Sequence, residues 1–369
     1  MLKIKFAFLI LFSLMLALTG NSLAADCPED TGITVTEFYS DIESGDLTVY
    51  SATEMEGLEI ELLLEHEDEI LDQRTLEIRR VVPGSDIIKV FEWETDSKDD
   101  GRYQADVRIL KDDCLLYAGN YSFVHGRPVI PRIKVNDIIA NSQGSSLMLT
   151  PVQPVIVDIT YMLVDGSDVI YTNDQERIAL STMPLELREQ WDTLLENDKQ
   201  YKGRVKVRMY KPSDTITVMQ GFTAKDDVFI SDTYKDAIGA SATIEGRSQV
   251  PFSGAVRFTV LENDGNGNIV ETVTRKSPVL LSGDDETVEN IWEQRLNKGV
   301  YRLIIEVIGN DGDILAVRET IIEAEAPRNV TNTSTDTDDS SNATPGFPGT
   351  HSIIILISAV LIIRLNSKR

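Results

Sequence analysis

The chain has 369 residues, of which 35 are basic and 60 are acidic, so its formal net charge is −25 at neutral pH. Because a protein that binds nucleic acid needs a basic surface, this charge excludes nucleic acid as a partner. A hydrophobic content of 42% is ample for packed cores. The acidic exterior is typical of a well-solvated surface protein.

The first residues have the pattern of a secretion signal. Lys3 and Lys5 precede an apolar stretch, Phe6 to Leu18, and small residues then surround a cleavage position after Ala24. A basic start, an apolar core and a small-residue cut are the three parts of a signal peptide. The alternative is a retained helix. We predict a signal peptide over residues 1–24 and an exported body after it.

The three tryptophans of the chain each stand nine or ten residues before a tyrosine. The tryptophans are 98 and 101 residues apart, which predicts a threefold repeat of about 100 residues. We name the repeats module 1 (26–126), module 2 (127–226) and module 3 (227–326). The repeated pairs, predicted to lie in the core of each module, are Trp93 with Tyr103, Trp191 with Tyr201, and Trp292 with Tyr301.

Apolar and polar residues alternate after each of these tyrosines, and a turn and another alternating segment follow. Strict period two predicts a half-buried antiparallel strand with one polar face, and the turn predicts a terminal hairpin. The inward residues are predicted to be Ala105, Val107 and Ile109 in module 1, Gly203, Val205 and Val207 in module 2, and Leu303, Ile305 and Val307 in module 3.

The earlier parts of the modules also correspond. Each begins with a short β-prone segment, at Ile33, Ile133 and Val228, and later strands run into Asp- and Gly-rich turns. About seven short strands per module, separated by turns, indicate an all-β sandwich. Short helical turns are expected at Leu185 to Leu195 and at Val288 to Leu296.

These modules resemble the immunoglobulin-like and fibronectin-type domains of prokaryotic surface proteins. The resemblance rests on Tyr103, Tyr201 and Tyr301, which enter a strand as the tyrosine of the family's E–F corner does. It covers residues 26–326 and implies tandem β-sandwiches. The tryptophans do not stand on the strand that carries the antibody tryptophan, and no pair of cysteines repeats. A fold alone does not specify a function.

In sandwiches of this type the first strand often runs beside the start of the last strand. The resemblance therefore places Cys27 beside Cys114, the two cysteines of the chain. A single cysteine pair in an exported protein usually forms a disulfide. We predict that Cys27 and Cys114 are linked.

Two segments raise the question of a metal site. Asn263 to Asn268 is rich in side-chain oxygen, as a calcium loop is, but no closing Glu follows and Asn-Gly turns also suit a hairpin. Glu65 to Glu69 contains His66 but no second histidine. We interpret both as hairpin turns and predict no metal, cofactor or catalytic residue. No P-loop, hydrolase elbow or HExxH motif occurs, although a dispersed pair of carboxylates remains an alternative.

The composition changes to Thr, Ser, Asn and Asp over residues 327–346, which predicts a disordered, glycosylated stalk. N-x-S/T sequons are candidate glycosylation sites in an exported chain. They begin at Asn120 in module 1 and at Asn329, Asn332 and Asn342 in the stalk.

Residues 347–369 contain a short apolar run and a basic end. Together with the tripeptide Pro345, Gly346 and Phe347, where this segment begins, the run resembles the PGF-type sorting signal of archaeal cell-surface proteins. The resemblance implies that an archaeosortase cuts the signal and replaces it with a lipid. The alternatives are a short transmembrane helix with its basic end inside and a glycosylphosphatidylinositol signal, whose tail usually ends apolar. All three predict a membrane anchor.

The sequence thus predicts a surface-anchored, non-catalytic structural or adhesive protein of the cell envelope. Its expected partners are the membrane, through the anchor, and cell-envelope proteins or polysaccharide. One alternative is a carbohydrate- or ligand-binding surface protein, which aromatic residues exposed on one module only would favour. The other is a membrane-anchored enzyme or accessory subunit.

Overall fold

The structure is a computed structural model that describes residues 32–95, 99–126, 131–211, 213–263 and 267–326. The chain divides into two units, Met1–Glu325 and Ala326–Arg369, and every described strand lies in the first. The predicted signal helix, the stalk and the C-terminal anchor lie outside the described residues. Within the described ranges, no helix is long and apolar enough to cross a bilayer.

The described strands fall into three sets of seven, one set in each predicted module. Module 1 contains Ile33–Ser40 (β1), Ser44–Ser51 (β2), Met55–His66 (β3), Glu69–Val81 (β4), Asp86–Glu92 (β5), Gly101–Lys111 (β6) and Cys114–His125 (β7). Module 2 contains Ile133–Ala140 (β8), Gly144–Pro151 (β9), Val155–Asp165 (β10), Asp168–Leu180 (β11), Leu185–Gln190 (β12), Gln200–Tyr210 (β13) and Ser213–Thr223 (β14). Module 3 contains Val228–Lys235 (β15), Gly239–Gly246 (β16), Ala255–Glu262 (β17), Ile269–Lys276 (β18), Asp285–Ile291 (β19), Gly299–Ile308 (β20) and Ile314–Ala324 (β21).

Each set of seven strands pairs in the same antiparallel order. In module 1, β1-β2-β5 form three neighbouring strands and β4-β3-β6-β7 form four. The corresponding strands of modules 2 and 3 are β8-β9-β12 with β11-β10-β13-β14, and β15-β16-β19 with β18-β17-β20-β21. The all-β repeat of sandwich modules is therefore confirmed, while the exact module boundaries stay a prediction.

Each module has its own apolar core, built from the alternating residues of both sheets. In module 1, Leu47 and Val49 of β2 pack with Ile60 of β3 and Val107 of β6. Modules 2 and 3 have equivalent clusters around Trp191 and Trp292. Because each β-strand places successive side chains on opposite faces, the period-two pattern supplies these inward rows directly.

A β-bulge recurs in the first strand of each module. The pairing register shifts between Val35 and Glu37, between Val135 and Asp137, and between Ile230 and Asp232. A bulge inserts one residue and increases the local twist. Its recurrence at one position shows that the repeat extends to backbone detail.

The two predicted helical segments are wrong. Residues 185–190 form β12, which pairs with β9 from Leu185 opposite Leu149 onward, and Val288 lies in β19 opposite Ala242 of β16. No helix follows either strand within 191–199 or 292–298. Pairing with a neighbouring strand gives each segment a ladder of backbone hydrogen bonds. A helix of so few residues would form few such bonds and would be only marginally stable.

Candidate functional site between modules 1 and 2

The tryptophans lie at equivalent positions, directly after β5, β12 and β19, and all three are buried. Each backbone N–H donates to a carbonyl in the turn between the first two strands of its module, at 2.9 to 3.0 Å. The carbonyls belong to Glu43, Gln143 and Ile238. In each turn an Asx side chain, Asp41, Asn141 or Asp236, accepts two backbone N–H groups at 2.7 to 3.2 Å. The tryptophan N–H groups therefore bind the ends of β5, β12 and β19 to the turn between the first two strands of each module.

The repeated tyrosines form the corner that the resemblance implies, with one variation. The hydroxyls of Tyr103 and Tyr301 donate to the carbonyls of Asp99 and Asn297, each four residues upstream, at 2.8 and 3.1 Å. The hydroxyl of Tyr201 instead accepts the N–H of Glu196 at 3.2 Å. Tyr103 and Tyr201 are buried, and Tyr301 is partly buried. These residues are structural.

The sheets of modules 1 and 2 meet edge to edge. Lys89 of β5 stands opposite Asp168 of β11, with an ion pair at 2.5 Å, and Val90 N–H donates to the carbonyl of Ser167 at 2.9 Å. One seven-stranded sheet thereby runs through both modules in the order β1-β2-β5-β11-β10-β13-β14. A small apolar cluster of Val90, Met162 and Val164 fills the contact.

The polar face of β13 is not solvated, contrary to the sequence expectation. Gly203, Val205 and Val207 point into module 2, as predicted, but Arg204 on the other face is 0% exposed and Lys206 is 5% exposed. Both side chains are covered by module 1. The expectation was wrong because a neighbouring sheet, and not water, occupies this side of the strand.

Arg204, Lys206 and Asp46 form a buried ion cluster between β13 and β2. The Nη2 of Arg204 donates to Oδ1 of Asp46 at 3.0 Å, and Nζ of Lys206 donates to Oδ2 at 2.7 Å. Arg204 Nη1 also donates to Oγ of Ser44 at 2.6 Å, and Lys206 donates to Glu37 at 2.9 Å. Asp46 is 1% exposed, so its carboxylate is neutralised by two cations out of contact with water.

Further ion pairs surround this cluster. Lys202 pairs with Glu92 of module 1, and Arg208 pairs with Asp158 within module 2 at 3.1 Å. Burial favours a raised pKa for the Asp158 carboxyl, but hydrogen bonds from Tyr210, the N–H of Arg177 and Arg208 outweigh it and hold that pKa below its usual value. The Asp158 carboxyl therefore stays ionised at neutral pH.

Sequence reasoning missed this cluster, although a signal for it was present. Module 2 has basic residues at four successive outward positions of β13, namely Lys202, Arg204, Lys206 and Arg208. Module 1 has Gln104 and Asp106 in this row, and module 3 has Ile304 and Glu306. A wholly basic row in a strongly acidic chain indicates an acidic partner surface.

A cleft of about 870 Å³ opens beside the ion cluster, between β1 and β7 of module 1 and β14 and residues 131–135 of module 2. Tyr39, Tyr121 and Phe123 contribute aromatic rings to its wall. The ring centroids of Tyr39 and Tyr121 are 5.6 Å apart. Lys206 Nζ lies 5.1 Å from the Tyr39 ring centroid, so the cleft and the ion cluster share one wall.

Burial raises the pKa values of two tyrosines in the cleft. For Tyr39, burial acts together with the nearby Asp41 carboxylate, and for Tyr121 with Asp214. Tyr39 donates its hydroxyl to the carbonyl of Thr215 at 3.2 Å, which ties β1 to β14. Both phenols are therefore neutral at physiological pH and can serve as hydrogen-bond donors.

Modules 2 and 3 meet through loops. Val250 of module 3 is buried in the core cluster of module 2. Gln249 N–H donates to the carbonyl of Ser142 at 2.9 Å. Lys225 lies between Asp198 and Asp311 at 3.0 and 2.7 Å. The contact between modules 2 and 3 therefore also contains ion pairs. It is made by loops, whereas the contact between modules 1 and 2 joins two sheets.

The other predicted sites are placed as follows. Asn120 is exposed on β7, where a glycan has room, and Cys114 is disulfide-bonded. The ring of His66 stacks on Tyr103 at 4.3 Å and bonds the carbonyl of Arg102 at 2.9 Å. Among the described residues, no group of His, Cys, Asp or Glu could hold a metal ion. The predicted residues outside the described ranges are Cys27, Asn329, Asn332, Asn342, Pro345, Gly346, Phe347 and part of Asn263 to Asn268.

No family model and no curated protein matches the chain. Among solved structures, the chain is similar to native Escherichia coli alpha-2-macroglobulin (10% identity, TM-score 0.21), covering 82% of this chain and 23% of the other. It is also similar to a tetra-tandem repeat from the extending region of a large adhesion protein (11% identity, TM-score 0.24, 80% and 74% covered). A third is latent PorU of Porphyromonas gingivalis (10% identity, TM-score 0.22, 79% and 34% covered). The chain thus spans about a quarter of the macroglobulin and a third of PorU.

Proposed function

We propose that this protein is a surface-anchored, non-catalytic structural or adhesive protein of the cell envelope. The observation that carries the proposal is the buried ion cluster of Asp46, Arg204 and Lys206. Arg204 and Asp46 are the two most deeply buried charged side chains of the described parts of modules 1 and 2, and together with Lys206 they lie at the contact between the two modules. A fixed contact between modules suits a spacer or an adhesin, because such a protein holds its modules in a defined arrangement.

The energetics of the cluster agree with a fixed junction. Taking charges out of water is costly, and removing one member of a buried pair leaves an uncompensated charge that costs about 3–5 kcal/mol. Separating modules 1 and 2 would also open the apolar contact around Val90 and Met162. Opening this junction would expose the apolar contact to water and break the hydrogen bonds of Arg204 and Lys206 to Asp46, so both contacts oppose bending.

The chain ends support the location. The predicted signal peptide exports the body, the glycosylated stalk separates it from the membrane, and the C-terminal segment anchors it. Under this proposal the partners are the membrane itself and envelope proteins or polysaccharide that the modules contact.

The location is tested on intact cells that express the full chain. A protease added outside should remove modules 1–3, and mass spectrometry of the membrane fraction should find a chain that ends near Pro345 with a lipid, or an intact C-terminus. Mature protein that is wholly soluble, or protected from external protease, would refute the proposal.

The absence of catalysis needs its own test. The purified chain is assayed against glycan and peptide substrates, and no turnover is expected. Turnover that a single Asp or Glu substitution abolishes without changing the unfolding midpoint would show that the enzyme alternative is correct.

A further inference from the structure

The cleft between modules 1 and 2 contains an aromatic residue that the repeat does not supply elsewhere. Tyr121 of β7 stands opposite Ala105 of β6. Ala105 is two residues after the repeated tyrosine, Tyr103. The equivalent positions in modules 2 and 3 are Gln220, opposite Gly203, and Thr320, opposite Leu303. Core packing of a sandwich module therefore does not require an aromatic ring at this position.

The ring of Tyr121 lies in a row of aromatic residues at the open edge of module 1. Its centroid is 5.6 Å from that of Tyr39, 6.2 Å from that of Phe38 and 6.5 Å from that of Phe123. Tyr39 is buried and forms the floor, while Tyr121 and Phe123 are partly exposed to the cleft. The wall thus offers ring surface to a bound molecule.

Polar groups without a protein partner also line the cleft. Among the described residues, the Tyr121 hydroxyl accepts and donates no hydrogen bond, and the Lys134 ammonium makes no ion pair. Asp214 lines the cleft, and its Oδ1 accepts the N–H of Thr215 at 2.9 Å. Ser213 and Ser122 add exposed hydroxyls at the mouth.

We infer that this cleft binds a neutral saccharide. A sugar ring presents an apolar C–H face that packs on aromatic rings, and hydroxyls at its edge that bond to Tyr121, Asp214 and Lys134. The volume of about 870 Å³ lies in the range of about 300–1,000 Å³ that ligand sites occupy. The carboxylates of Asp41 and Asp214, in a chain of net charge −25, disfavour anionic ligands such as nucleotides.

The cleft lies directly beside the contacts that hold modules 1 and 2 together. Tyr39, which forms the floor, is bonded to Thr215 of module 2 and lies under Lys206 of the ion cluster. The two walls therefore cannot move apart without breaking the cluster. Because the binding surface is already formed before a ligand binds, the entropy that a flexible site would lose on becoming ordered is not lost here.

The experiment uses the purified full chain in a detergent without a sugar headgroup. It is applied to an array of neutral, amino and anionic oligosaccharides together with a panel of unstructured peptides. We expect binding to neutral oligosaccharides, and affinity at least tenfold weaker for Tyr121→Gln. This substitution installs the residue of module 2 and keeps the Asn120-x-Ser122 sequon intact.

Two further variants separate binding from folding. Ser213→Arg extends a long side chain into the mouth of the cleft from an exposed position and should weaken binding at least tenfold with an unchanged unfolding midpoint. Tyr234→Gln, at an exposed tyrosine of module 3 far from the cleft residues in sequence, should leave binding unchanged. Binding of no neutral glycan, preference for anionic glycans or for peptides, or equal affinity in the Ser213→Arg variant would overturn the inference.

Discussion

Arg204 on β13 donates to Asp46 on β2 across 158 residues of chain, and neither side chain is more than 2% exposed. The pair crosses from module 2 to module 1, so the contact between the two modules contains charges that are buried as deeply as the apolar cores. Lys206 completes the cluster at 2.7 Å from the second carboxylate oxygen.

Removing the carboxylate of this cluster should destabilise the protein strongly. In Asp46→Ala, Arg204 and Lys206 stay buried without their shared anion, so we expect the free energy of unfolding to fall by about 3–5 kcal/mol. Chemical denaturation followed by fluorescence measures it. The matched control is Glu77→Ala, at an exposed carboxylate of the edge strand β4, which should change stability by less than about 0.5 kcal/mol. Equal effects of the two substitutions would contradict a buried cluster.

Replacing the whole cluster with apolar residues should have the opposite result. In the triple variant Asp46→Leu, Arg204→Met and Lys206→Met no charge is left to desolvate, and such replacements are often neutral or stabilising by about 1–4 kcal/mol. The Nε of Arg204, which has no hydrogen-bond partner among the described residues, is removed as well. Denaturation and hydrogen exchange of β2 and β13 measure the change. A triple variant as unstable as Asp46→Ala would show that the cluster contributes net stability.

The sequence predicted the strands because the relevant information is local. The period-two rows after Tyr103, Tyr201 and Tyr301 are properties of ten successive residues, and they recur as β6, β13 and β20. The threefold spacing of the tryptophans also required no knowledge of partners. Local periodicity failed only where a short segment such as 185–190 fits either a turn of helix or a strand, and pairing with β9 decides it.

The candidate site could not be predicted in the same way. Alternation shows that Arg204 and Val205 face opposite ways, but it does not show whether water or another module covers the polar side. Nothing local connects Asp46 with Lys206, and the cleft around Tyr121 exists only because two modules meet. The uninterrupted basic row of β13 was the one available indication.

Two buried tyrosines of the module cores should respond in opposite directions to loss of the hydroxyl. Tyr161 is 0% exposed and its hydroxyl has no hydrogen-bond partner among the described residues, whereas the Tyr103 hydroxyl donates to Asp99 at 2.8 Å. We expect Tyr161→Phe to raise the free energy of unfolding by about 1 kcal/mol and Tyr103→Phe to lower it by about 0.5–1.5 kcal/mol. Both are read from denaturant midpoints at constant slope. A loss of stability in Tyr161→Phe would show that its hydroxyl is bonded after all.

The acid dependence of stability should separate two buried carboxylates, Asp158 and Asp226. Hydrogen bonds hold the pKa of Asp158 below its usual value against the effect of burial. Its folded pKa is therefore lower than its unfolded pKa of about 3.9. The stability it contributes is present above the unfolded pKa and is lost as the pH falls through the folded pKa. Asp158→Asn should thus destabilise the protein at neutral pH and have progressively less effect below about pH 4.

The pKa of Asp226 is shifted in the opposite direction, so its effect on stability has the opposite pH dependence. Burial raises its pKa above the usual value, although its Oδ2 accepts the N–H of Asn310 at 2.8 Å. Its folded pKa exceeds its unfolded pKa, so its contribution is fully present below the unfolded value and is lost as the pH rises through the folded value. Asp226→Asn removes the buried charge and keeps an oxygen for Asn310, so it should stabilise the protein at neutral pH but not in acid. Urea unfolding from pH 3 to pH 8 of both variants and the parent tests the pair. If both curves shift in the same direction at neutral pH, the roles assigned to burial and hydrogen bonding in these two carboxylates are wrong.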